Sequence, residues 1–123
     1  MTPEKAYEYA LKNGPSEETR KIACKDPKFA YWYAEDVDKC PGENTRNAAC
    51  KNPYYAYHYA RDVDQCPRED TRKVACEDPE CAYYYAKDID KDFHEDTWNA
   101  VQNTEYEEEY KEFFNSIMKE EII

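Results

Sequence analysis

The sequence predicts an all-α fold, a helical-repeat solenoid with a period of about 26 residues, and three observations lead there. Three consecutive blocks, residues 19–44, 45–70 and 71–96, share the template T-R-x-x-A-C-x-x-P-x-x-A-Y-x-Y-A-x-D-[VI]-D. Each block carries an Asp-Pro or Asn-Pro step, at Asp26-Pro27, Asn52-Pro53 and Asp78-Pro79. After each step, apolar residues recur at i, i+3, i+4 and i+7: Ala30, Tyr33, Ala34 and Val37; Ala56, Tyr59, Ala60 and Val63; Ala82, Tyr85, Ala86 and Ile89. That spacing places them on one face of a helix.

The elements follow in chain order within a single domain, residues 1–123. Residues 2–18 form an N-terminal half repeat, in which Pro3, Ala6, Tyr7, Tyr9 and Ala10 match Pro27, Ala30, Tyr31, Tyr33 and Ala34. Each full block then opens with a short helix, near residues 17–25 in the first copy, whose Glu17 and Glu18 suit the positive end of its dipole. Its apolar pair Ile22 and Ala23 recurs as Ala48/Ala49, Val74/Ala75 and Ala100/Val101. A helix this short is unstable alone, so stacking must bury that face. A longer helix follows, with Asp or Asn as N-cap and proline at the first helical position, where its missing N–H costs nothing. It should run for about 12–13 residues, roughly 19 Å. It ends near Lys39-Cys40-Pro41-Gly42 and Gln65-Cys66-Pro67, where proline prevents continuation. Residues 97–123 hold a degenerate repeat and a C-terminal capping helix, with Thr104 and Glu107 as a capping box. The stripe Tyr106, Tyr110, Phe113, Phe114, Ile117 and Met118 faces inward, and the polar outer face closes the open end of the solenoid. The Ile122-Ile123 end leaves a docking or dimerising role for this helix open.

Charge narrows the function classes. With 28 acidic against 17 basic side chains, the net charge is -11. That argues against direct nucleic-acid binding and against an anionic-membrane anchor, both of which need clustered Lys and Arg. Only 2 glycines in 123 residues make a P-loop, a dinucleotide fingerprint or a hairpin-rich fold hard to build. Neither a signal-peptide core nor a run of 18 apolar residues is present. The expectation is a cytoplasmic protein. The first two blocks, residues 19–44 and 45–70, are neutral, whereas residues 71–96 carry -4 and residues 97–123 carry -5, so the acidity belongs to the C-terminal end.

The candidate chemistry is sparse. Cys24, Cys50 and Cys76 share one repeat position, and Cys40 and Cys66 another; neighbouring copies about 8–10 Å apart lie beyond disulfide reach. No Cys-x-x-Cys or Cys-x-x-His spacing exists to chelate zinc, so the thiols read as reduced, small and partly buried, with Cys76 and Cys81 the one close pair. His58 and His94 read as surface residues, no serine constellation exists, and no catalytic residue, cofactor or metal ligand is assigned. The D-[VI]-D element is more informative, because Asp36/Asp38, Asp62/Asp64 and Asp88/Asp90 stand at the unfavourable negative end of each long helix. Arg20, Arg46 and Arg72 occur once per copy, and we expect them to pair with Asp36, Asp62 and Asp88 or their neighbours in an inter-repeat ladder. An exposed acidic ridge or a calcium site is the alternative. Tyr31, Tyr57 and Tyr83 point about 160° from the core tyrosines. With Trp32, His58 and Tyr84 beside them, they form either inter-repeat packing with the hydroxyls in water or an exposed strip for a protein partner. Glu105, Glu107, Glu108 and Glu109 supply a second candidate contact.

The elements A-C-x-[DN]-P and P-x-x-A-Y-x-Y-A-x-D-[VI]-D resemble the leucine-rich-repeat-variant and HEAT-like solenoids over about residues 2–103. They resemble more closely the Tyr-rich "DP-x-x-AY-x-YA" repeats of phage and bacterial proteins. The chain departs from the leucine-rich variants in having Tyr and Ala where leucines would sit. The resemblance implies a right-handed superhelix with a protein-binding surface and carries no catalytic residue across. The expected function is a non-enzymatic binder of a protein with a basic or aromatic-accepting surface. In a phage or mobile element it would inhibit a host defence protein in the host cytoplasm. An acidic nucleic-acid mimic and a structural assembly protein are the other expectations.

Overall fold

The computed structural model describes residues 1–122, with side chains as far as Lys119; the question raised by Ile122-Ile123 lies outside it. Among the described residues there are nine α-helices and no strand. Helix α1 is Pro3–Asn13. The short helices are α2 (Glu17–Ala23), α4 (Glu43–Ala49), α6 (Glu69–Ala75) and α8 (Glu95–Val101). The long helices begin as α3 (Pro27–Trp32), α5 (Pro53–Tyr59) and α7 (Pro79–Tyr85), and α9 is Glu107–Ile122. The long helices lie side by side in one layer, and each short helix packs in a second layer between the long helix before it and the one after it. This is a helical-repeat solenoid.

The local starts are those the sequence predicts. The Asn52 side chain accepts from the Tyr54 N–H at 2.8 Å, with Pro53 at the first position, and Asp26 and Asp78 cap α3 and α7 in the same way. The ends differ. Each long helix continues without a break as a π-helical segment, Tyr33–Asp38, Ala60–Asp64 and Ala86–Asp90. It is closed by a left-handed residue, Lys39, Gln65 or Lys91, at φ 57, 56 and 54°. The N–H of Gln65 donates back to the Ala60 carbonyl at 2.8 Å, five residues away. Nothing in the 3.6-residue spacing announces this widening.

A polar set recurs inside each repeat. The Tyr59 hydroxyl accepts from the Gly42 N–H at 2.9 Å and lies 2.8 Å from the Thr45 hydroxyl, so a tyrosine from the long helix holds the start of α4. Tyr33 does this at Ser16 and Thr19, and Tyr85 at Arg68 and Thr71. Gly42 and Arg68 offer no capping side chain of their own, so the phenol compensates for a weak N-cap. Over the Tyr59 ring lies the Arg46 guanidinium, 5.6 Å from the centroid, forked onto Asp64 with Nη2 to Oδ1 at 2.6 Å. Arg20 and Arg72 repeat this over Tyr33 and Tyr85 with Asp38 and Asp90.

Two expectations are corrected here. Arg20, Arg46 and Arg72 pair within their own repeat and with the second aspartate, not across repeats with Asp36, Asp62 or Asp88. The reason is the hairpin of short and long helix, which folds the end of the long helix back beside the arginine. The thiols also divide: Cys24, Cys50 and Cys76 are partly buried and Cys81 is buried, but Cys40 and Cys66 are exposed, one residue past a left-handed turn. Burial first, then the Asp78 carboxylate, pushes the Cys81 thiol up to about 12.

The fourth copy ends the array. Tyr110 is 1% exposed and its hydroxyl lies 2.8 Å from that of Thr97, which makes α9 the long helix of the degenerate repeat as well as its cap. The capping bonds are shifted by one residue from the predicted box. Thr104 accepts from the Tyr106 N–H at 3.2 Å, and Glu107 accepts from the Asn103 N–H at 3.3 Å.

The ion pair makes a stability prediction. The side chains of Arg46 and Asp64 are 11% and 2% exposed. Arg46→Ala strands the carboxylate, and removing one member of a buried pair costs about 3–5 kcal/mol. A fall of the order of 10–20 °C in Tm is expected from calorimetry. An unchanged Tm would contradict a structural role for the pair.

Candidate functional site

The candidate surface is built on the side-by-side long helices. Tyr31, Tyr57 and Tyr83 are each 7% exposed, so they are not the free aromatic strip that was one expectation. A long helix is covered on two sides: Tyr33 faces the short helices, and Tyr31, about 160° round, faces the next long helix. The hydroxyls of Tyr7, Tyr31 and Tyr57 are taken up by carboxylates of the next copy. Tyr7 donates to Asp36 of the next repeat at 2.5 Å, Tyr31 donates to Asp62, and Tyr57 donates to Asp88. The first aspartate of each D-[VI]-D element therefore carries the inter-repeat ladder. Sequence reasoning assigned that ladder to arginine. The offset of 31 residues between full repeats, one repeat plus five, and of 29 from the half repeat is the trace it leaves in the sequence.

The variable slot belongs to the same seam. Trp32 lies 5.7 Å from Tyr7, His58 lies 5.7 Å from Tyr31, and Tyr84 lies 6.4 Å from Tyr57, each against the tyrosine of the preceding copy. Trp32 and His58 are half-buried, and Tyr84 is 37% exposed. The structure adds Tyr54, 54% exposed and 4.2 Å from the His58 ring, which the template did not single out. Around His58 the charges are bound up: Arg61 forks onto Asp62, lies 5.2 Å over the Tyr57 ring and donates to His58 Nδ1 at 2.9 Å. Burial first, then the Arg61 charge, holds the imidazole below its ordinary value. Burial raises Asp62, but donors from Arg61 and Tyr31 outweigh it and leave the carboxyl below the usual range. His94 serves as an N-cap, its Nδ1 accepting from the Asp96 N–H at 3.1 Å.

The acidic end is arranged differently. Glu105, Glu108 and Glu109 are exposed and Glu107 is half-buried. Lys111 lies 3.9 Å from Glu107 and 3.6 Å from Glu108. Glu108 stands where the ladder tyrosine would stand if Tyr110 is aligned with Tyr85. Phe113 stands where the acceptor aspartate would be, so Tyr83 has no carboxylate ahead of it and stacks on Tyr106 at 5.9 Å. Among the described residues no three His, Cys, Asp or Glu side chains converge as metal ligands would. No family model, characterised protein or solved structure matches the chain. The fold itself defines its class, the α-helical repeat proteins.

The ladder makes a pH prediction. Burial first, then the bond to Asp88, pushes Tyr57 up to about 12, and the same causes raise Tyr7 and Tyr31 further. Raised pKa values mean a stabilisation fully present below the unfolded value of about 10 and lost as pH rises through the folded values. Phenolate absorbance at 295 nm should rise in two parts, the exposed tyrosines first and the ladder tyrosines only with loss of helical circular dichroism. A single titration complete near pH 10 with the helices intact would contradict it.

Proposed function

We propose that this chain is a non-enzymatic module that binds another protein, with recognition centred on its acidic C-terminal end. One observation carries the reading. The D-[VI]-D carboxylates of the repeats are engaged by Arg20, Arg46, Arg72 and the ladder tyrosines, whereas Glu105, Glu108 and Glu109 stand in solvent on residues 97–123, which hold -5 of the net -11. The first group links the helices within and between repeats, whereas Glu108 pairs with Lys111 of its own helix. A basic surface is the natural complement. The resemblance to Tyr-rich phage repeats and the small acidic format support a narrower reading, an inhibitor that occupies a host protein one to one. The same acidity supports the alternative of a nucleic-acid mimic.

Affinity capture from the source cell tests this with the wild type and with Glu105→Gln/Glu108→Gln/Glu109→Gln. A single stoichiometric protein is expected on the wild type and tenfold less on the variant. Displacement of that protein by duplex DNA would move the reading to the mimic. Retention of only further copies of this chain would move it to an assembly role. Equal retention by the variant would overturn recognition at the acidic end.

A further inference from the structure

The fourth copy departs from the repeat template at several positions, and one set of these departures makes a trough. In the first three copies the residue after the conserved threonine is Arg20, Arg46 or Arg72, laid over the core tyrosine and forked onto Asp38, Asp64 or Asp90. With Tyr110 aligned on Tyr85, the fourth copy has Trp98 in place of the arginine and Asn115 in place of the aspartate. Phe114 replaces Val or Ile, and Phe93 replaces the proline of Pro41 and Pro67. The Trp98 ring lies 5.5 Å from Tyr110, where the other copies place a guanidinium. Phe93 packs edge-on against Phe114 at 5.2 Å. The ion pair has been exchanged for an open apolar trough of about 230 Å3, lined by Phe93, Trp98, Tyr110, Lys111 and Phe114.

The capping role alone does not explain this exchange. A cap has to present polar residues outward, and α9 does so with its glutamates. Phe93 instead stands 41% exposed in a loop where the other copies carry proline, so the apolar wall opens to solvent rather than onto the core. The volume falls below the roughly 300 Å3 at which sites for drug-sized molecules begin, and suits one or two side chains. The chain around the lining residues is acidic: exposed Asp92 and Glu95 flank Phe93, exposed Glu112 follows Lys111, and Lys111, the one basic lining residue, sits beside Glu107 and Glu108. A second copy would bring its own -9 to this end and be repelled.

We infer that the trough is a docking site for a segment of a partner protein that offers one or two large apolar side chains flanked by Lys or Arg. The inference rests on the protein-binding reading above and specifies where and by what chemistry the partner attaches. The apolar anchor supplies affinity through burial, and the flanking cations meet the carboxylates around it.

The probe is a synthetic amphipathic helix of leucine and lysine, with a leucine–glutamate helix as its counterpart. Binding is read from the fluorescence of Trp98 in a Trp32→Tyr background. The lysine helix should shift Trp98 emission to the blue and the glutamate helix should not. Phe93→Pro/Trp98→Arg/Asn115→Asp restores the residues of the other copies, and calorimetric titration should find its affinity at least tenfold weaker. Phe93→Ser, at an exposed wall, should weaken binding in the same direction should the triple variant not fold. Equal affinity of the lysine helix for wild type and Phe93→Ser, or no change in Trp98 emission at saturation, would overturn the trough. The capture experiment separates the two ideas. A partner retained equally by Phe93→Ser ends the trough and leaves the protein-binding reading standing, whereas a wild type that retains nothing ends that reading.

Discussion

The hydrogen bond from a tyrosine of one repeat to the first aspartate of the next ties the array together, and much of the remaining architecture makes room for it. A carboxylate at the C-terminal end of a helix is electrostatically misplaced, by a few tenths of a kcal/mol or more. Here it becomes tenable because a phenol from the neighbouring copy donates to it and, at Asp62, a guanidinium does as well. The second aspartate is served by the arginine of its own repeat. Each D-[VI]-D element thus looks two ways, one carboxylate outward to the previous copy and one inward to the short helix. The core between these bonds is mostly alanine and tyrosine, with Ala30, Ala34, Ala56, Ala60, Ala82 and Ala86 fully buried. Small residues bring the helices close, and the tyrosines fill the space between them while their hydroxyls find polar partners. No buried side-chain polar atom among the described residues is left without one.

The architecture was legible in the sequence because it rests on local chemistry. The Asp-Pro and Asn-Pro steps announce the long helices, the i, i+3, i+4, i+7 pattern identifies Tyr33, Tyr59 and Tyr85 as core, and the period identifies the stacking. Long-range pairings were not legible. Arg46 has two aspartates two residues apart to choose from, and only the fold of the hairpin selects Asp64 over Asp62. Tyr31 and Tyr33 differ by two positions, which implies opposite faces, but whether the second face meets water or another helix depends on how the long helices lie. The π-helical ends and the left-handed Lys39, Gln65 and Lys91 were hidden for another reason: glycine, the usual signal for such a turn, is absent from all three.

The candidate site was legible in part. The acidic end could be counted from the sequence, and Glu105, Glu108 and Glu109 are exposed as a contact surface requires. The aromatic positions looked like a binding strip because Trp32, His58 and Tyr84 vary between copies. In the fold that variation is absorbed at the seam, where rings of different size pack on the same tyrosine. The replacement of the Arg–Asp pair by Trp98 and Asn115 was visible only as degeneracy until the position of Tyr110 aligned the fourth copy with the others. Functional surface in a repeat array is then to be sought where a copy breaks the template in a direction that stacking does not require.

The Tyr–Asp bond links neighbouring copies, and a double-mutant cycle of Tyr31→Phe and Asp62→Ala in urea measures it directly. A hydrogen bond to a charged group contributes about 1.5–3 kcal/mol. The two substitutions should therefore be non-additive by at least about 1 kcal/mol, with the double variant little worse than the more damaging single one. Additivity within about 0.3–0.5 kcal/mol would show that the two residues do not act together and would contradict the ladder as the link between repeats.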